Sequence, residues 1–103
     1  MAKLKLVANP TFAAEVGIPI AGADPVPVQF TFKHRTKTAL DTWIASRTDK
    51  NDADSFMEMV EGWDLEDEYN RANVDLLLEN YIGVALATYR TYINELVQAK
   101  LKN

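Results

Sequence analysis

The residues of this chain that could do chemistry are concentrated in one acidic run. Between Asn51 and Arg71 eight carboxylates follow one another without a cation: Asp52, Asp54, Glu58, Glu61, Asp64, Glu66, Asp67 and Glu68. Such density could hold a hard divalent cation. A pair one helical turn apart, as Glu58 and Glu61 would be on a single helix, could share acid–base work. Neither chemistry is compelled. An EF-hand loop counted from Asp49 puts Ala53 at the fifth position, Asp54 at the glycine position and Val60 at the bidentate glutamate position, so its demanding positions fail. The Asp64, Glu66, Asp67, Glu68 cluster has no histidine beside it and no ligand spacing, and reads as a solvated acidic face.

The single histidine, His34, lies between the cations Lys33 and Arg35. No carboxylate close in sequence could orient it as a base. A nucleophile elbow, a phosphate loop and a dinucleotide fingerprint are all missing, and Gly17 and Gly22 belong to a β-hairpin. The chain therefore reads as a binding protein, with no cofactor, no metal and no catalytic residue. Its anchors are aromatic: Trp43, Trp63, Tyr69 and Tyr81 are the side chains that dominate interface hot spots, although helical spacing makes most of them core. Tyr89 and Tyr92, three residues apart, cannot both sit at the centre of one helical stripe.

Composition narrows the class. At 103 residues the chain is expected to form one domain, 1–103, and 48% hydrophobic against 25% charged residues places it among globular proteins. No apolar run approaches a membrane span, and no adequate apolar region for a signal peptide precedes Asn9-Pro10. Without cysteine there is no disulfide framework and no thiolate zinc site, which suits a reducing cytoplasm. The net charge of −4 is unevenly spread: the chain is net basic up to Lys50 and strongly acidic from Asn51. An acidic block repels nucleic acid and anionic lipid; it suits a basic partner, or simply solubility.

The elements that must position these residues follow from periodicity. Phe12 to Ile20 and Val26 to Phe32 alternate apolar and polar residues and predict two strands. Ala21 to Pro25 between them has the composition of a hairpin loop. Lys3 to Val7 is a candidate third, short strand. Thr36 or Thr38 caps a helix carrying Leu40, Trp43 and Ile44 that ends near Arg47. Asp52 or Asp54 caps a second helix with Phe56, Met59 and Val60 inward and Gly62 as its C′ stop. Asn70 caps a third, with Val74, Leu77, Leu78 and Tyr81. After Gly83 a fourth helix shows Leu86, Tyr89, Ile93, Leu96 and Val97, with Lys100 and Lys102 at its end. The fold class is α+β: a β-hairpin region over 1–34, then about four helices over 36–101. The expected core is Phe30, Phe32, Trp43, Phe56, Val60, Leu77, Leu78, Leu86, Tyr89 and Ile93. A lone hairpin is marginal in water, so it must pack on the helices or extend its sheet into another copy, making a homo-oligomer.

One family shares these residues. The run Met59-Val60-Glu61-Gly62-Trp63-Asp64-Leu65-Glu66-Asp67-Glu68-Tyr69, followed by Asn73-Val74 and Leu77-Leu78-Glu79-Asn80-Tyr81, resembles the tail assembly chaperones of long-tailed bacteriophages and prophages. So do Lys-Leu-Lys-Leu-Val-Ala-Asn-Pro-Thr-Phe, the strand Val-Gln-Phe-Thr-Phe-Lys-His-Arg, and Tyr92-Ile93-Asn94-Glu95-Leu96, which together cover nearly the whole chain. The resemblance implies a non-enzymatic protein of the host cytoplasm, absent from the mature virion. It would coat the largely helical tape-measure protein and keep it soluble until the major tail protein polymerises. A longer, frameshifted product would recruit that tail protein. Partner contact is expected at Trp63, Leu65 and Tyr69, with Asp64, Glu66, Asp67 and Glu68 as a charged rim. Two rivals from other classes stay open: an acidic inhibitor that mimics nucleic acid and binds a basic partner, and a small metal-dependent enzyme built on Asp64 to Glu68.

Overall fold

The computed structural model describes residues 2–97. It is an α+β fold: a β-hairpin followed by four α-helices, with a third strand between the second and third helices completing an antiparallel sheet. β1 (Thr11–Ile20) and β2 (Ala23–Lys33) form the expected hairpin, in register from Thr11↔Lys33 to Ile18↔Val26. Val16, Ile18, Val28, Phe30 and Phe32 point inward, as their alternation requires. The connection is tighter than the five-residue loop read from the sequence. Ile20 pairs with Ala23, leaving Ala21-Gly22 as a two-residue turn, with Gly22 at φ +75°, which suits a residue without Cβ. A bulge absorbs the extra residue of β2 in the Asp24-Pro25 stretch.

The third strand is not where the sequence places it. Lys3 to Val7 has no strand pairing and stands in solvent. Instead, α2 (Asp52–Met59) stops at Met59, and β3 (Val60–Trp63) lies along β2, with Phe32↔Val60, Thr31↔Gly62 and Phe30↔Trp63. Gly62 is thus an extended residue in a strand and not the left-handed end of a helix. The reason is non-local. Phe30 and Phe32 leave an unpaired edge beside a large apolar surface, and Val60 fills it at 0% exposure. Glu58 and Glu61 consequently sit on different elements and form no pair.

The helix caps follow side-chain chemistry. Thr36 Oγ1 accepts from Ala39 N at the start of α1 (Lys37–Ser46), and Asn70 Oδ1 accepts from Asn73 N at the start of α3 (Arg71–Asn80). At α2 the cap is Asn51, whose Oδ1 accepts from Asp54 N at 2.8 Å. Asp52 and Asp54, expected there, fall inside the first turn, where they complement the helix dipole.

α4 (Val84–Val97) packs against β1 with a face turned away from the expected stripe. Val84, Thr88 and Tyr92 are fully buried, whereas Leu86 is half-exposed and Val97 faces solvent. Tyr89, Ile93 and Leu96 flank the buried line, as Leu77 and Leu78 do on α3. Tyr92 is the central ring and Tyr89 the rim, under the Arg47 guanidinium at 3.8 Å. Lys100 and Lys102 lie outside the described residues. Thr88 Oγ1 is buried and finds no hydrogen-bond partner among the described residues. Thr88→Val exchanges that orphaned hydroxyl for a methyl of the same shape and should raise stability by about 1–2 kcal/mol in urea denaturation.

Glu58 is a strut. Its carboxylate takes both the Lys50 ammonium, at 2.8 and 2.9 Å, and Trp43 Nε1 at 2.8 Å, tying α1 and the turn after it to α2. The Lys50 hydrogen bond, helped by the Trp43 N–H against the opposing effect of burial, holds this acid below the usual glutamate pKa.

Candidate partner-binding site

β3 and the segment after it form one unit around Trp63. The indole N–H donates to the Asp67 carbonyl at 2.7 Å, winding residues 64–67 about the ring. Tyr69 closes the back of the ring edge-on, with centroids 4.9 Å apart, and donates its hydroxyl to the Val60 carbonyl. Asp64 continues the β2–β3 ladder beyond the strand: its N–H donates to the Gln29 carbonyl, and its Oδ1 accepts from Gln29 N, each at 3.1 Å. Asn73 Nδ2 donates to the Glu68 carbonyl at 2.6 Å and ties the segment to α3.

Burial, with the Glu61 carboxylate adding to it, pushes the Tyr69 phenol up to about 12. The fold favours the neutral phenol, so this contribution to stability is complete below the ordinary pKa of 10.0 and is lost as pH rises through 12. In an alkaline titration followed by phenolate absorbance, one tyrosine should ionise near pH 12 and vanish in Tyr69→Phe. That variant should also lose less stability between pH 10 and 12 than the parent.

On the far side of Trp63 the surface opens into a groove of about 430 Å3. One wall is the tip of the hairpin, with Ile18, Ile20, Val26 and Val28. The other is α3 and its end, with Asn73, Leu76, Leu77, Asn80 and Tyr81, and Trp63, Leu65 and Asp67 close it between them. No cation lines it among the described residues. Val26 is 48% exposed and Leu76 59%, so apolar surface stands open to water on both walls. A cluster of this kind, with the Asp67 carboxylate in its lining, is what a protein presents to a partner with an apolar face. Among the described residues no three carboxylate or imidazole groups converge to hold a metal ion, and no helix is long and apolar enough to cross a membrane.

A family model described as phage tail assembly chaperone matches residues 1–103, the whole chain. The chain belongs to that family. No curated protein and no solved structure matches it.

Within this tail assembly chaperone the expected site residues divide. Trp63, Leu65 and Asp67 line the groove. Tyr69 stands behind Trp63 as its prop, and Asp64 is bound into the sheet. Glu66 and Glu68 are exposed beyond the groove's lining. Tyr81, one of the aromatic anchors read from the sequence, lines the groove too, whereas Ile20, Val26, Leu76 and Asn80 were not legible as site residues. Leu76 did carry a signal, being a large apolar residue off the Val74, Leu77, Leu78 stripe.

Proposed function

We propose that this chaperone binds the tape-measure protein in the groove between the hairpin tip and α3, and holds it soluble in the host cytoplasm until tail protein assembles around it. The observation that carries the reading is that groove, open and apolar on both walls and edged by acid, in a chain of this family. A largely helical client would lay an apolar stripe along Val26, Leu76 and Trp63, the helix-in-groove mode. Asp64, Glu66, Asp67 and Glu68 would speed encounter and reject acidic surfaces more than they add affinity. The protein acts by binding, not by catalysis, as a single domain. It leaves before the virion is complete, and a longer frameshifted product would bring in the major tail protein.

Co-expression with the cognate tape-measure protein should keep that protein soluble, and the two should co-purify. Changing the four carboxylates to their amides should weaken binding moderately and flatten its salt dependence. A tape-measure protein left insoluble and unbound by the wild-type chain would overturn the reading and leave the acidic inhibitor to be tested against basic, DNA-binding partners.

A further inference from the structure

The segment before β1 is as apolar as the groove and opposite in charge. Lys3, Leu4, Lys5, Leu6 and Val7 follow one another, with Leu4 85% exposed, Leu6 98% and Val7 83%. Among the described residues Lys5 Nζ is bonded locally, to Asn9 Oδ1 at 2.9 Å. The segment joins the fold where His34 N donates to the Pro10 carbonyl, at the end of the sheet away from the hairpin turn. Three large apolar side chains in water are a liability unless something covers them.

We infer that this arm of one chain docks in the groove of a second copy, seating Leu4 and Leu6 between the hairpin tip and α3, with Lys3 and Lys5 toward the carboxylates at Asp64 to Glu68. Charge complementarity selects the partner: the arm carries cations and no acid, the groove carries Asp67 and no cation. Reach decides that the contact is between chains. From Thr11 to Ile18 β1 covers about 23 Å. The five residues from Leu6 to Thr11 extend at most about 18 Å, before any is spent on reversing direction. An arm folded back along its own strand therefore cannot seat both leucines against Ile18 and Ile20. It would also start from β1, on the opposite side of the sheet from β3 and Trp63. Between copies no such limit holds: arm and groove are different surfaces, so the contact can close as a reciprocal pair or run head-to-tail along a row of copies. Arm and client then compete for the groove, a consequence that rests on the function proposed above, while the docking itself does not.

Because the chain contains no cysteine, a disulfide trap reads the contact directly. Leu6→Cys and Leu76→Cys both alter exposed side chains and should leave the melting curve unchanged. Mixed under mild oxidation, the two full-length variants should form the mixed disulfide about tenfold faster than either forms its own dimer. Lys3→Glu with Lys5→Glu in the Leu6→Cys copy should remove that preference. Mixed disulfide at no more than the random proportion overturns the docking. So does a Leu6→Cys/Leu76→Cys chain that closes on itself at high dilution. Soluble tape-measure protein should slow the trapping. If the trap succeeds while client leaves it unaffected, the arm docks but does not compete. If the trap fails while client still co-purifies, the proposed function stands without this inference.

Discussion

Replacing Tyr92 by alanine should cost about 3–5 kcal/mol, a large part of the stability a chain of this size has. The ring is fully buried and stacks on Phe32 at 5.4 Å and Phe12 at 6.1 Å, with Trp43 edge-on at 5.5 Å. Its removal leaves a cavity where β1, β2, α1 and α4 meet. The hydroxyl adds a second, separable effect: it donates to the Lys33 carbonyl at 2.7 Å and accepts from the Arg35 guanidinium at 2.9 Å. Tyr92→Phe keeps the packing and orphans the Lys33 carbonyl, while Arg35 retains the Glu58 carbonyl at 2.7 Å. It should cost about 1–2 kcal/mol. Urea denaturation of both variants checks the pair. Equal losses would mean that the hydroxyl, not the ring, carries the energy.

The largest functional effect is expected from Val26→Asp combined with Leu76→Asp. Both side chains are about half in water, so the melting curve should move by about 0.5 kcal/mol or less per site. Tape-measure binding should nonetheless fall by about a hundredfold or more. Each change removes an apolar anchor and asks a carboxylate to be buried beside Asp67, against a penalty of a few kcal/mol. Trp63→Ala is the less clean test, because the same ring lines the groove and holds Tyr69 and the Asp67 turn. Retention of the client by the folded double variant would move the binding site off the groove.

What could be read without the fold was what lies close in sequence. Alternation located β1 and β2 and their inward faces, and short side chains located the caps at Thr36 and Asn70, because a strand face and a cap are decided within a few residues. The cap of α2 lies at Asn51, one residue before the nearer of the two expected positions, Asp52 and Asp54, in a polar run where all three are competent acceptors. The family could be read from the Gly62 to Tyr69 run and the motifs around it. Three features depended on contacts across the chain. Val60 to Trp63 reads locally as the end of a helix, and becomes a strand because β2, some thirty residues earlier, offers an unpaired edge. The face of α4 turned toward Thr88 and Tyr92 because the Tyr92 hydroxyl meets Arg35 and the Lys33 carbonyl in the interior, polar partners that no hydropathy pattern records. The groove exists only because α3 is laid beside the hairpin tip. Val26 and Leu76, fifty residues apart in the chain, face each other only there, and tertiary packing left both of them open to solvent.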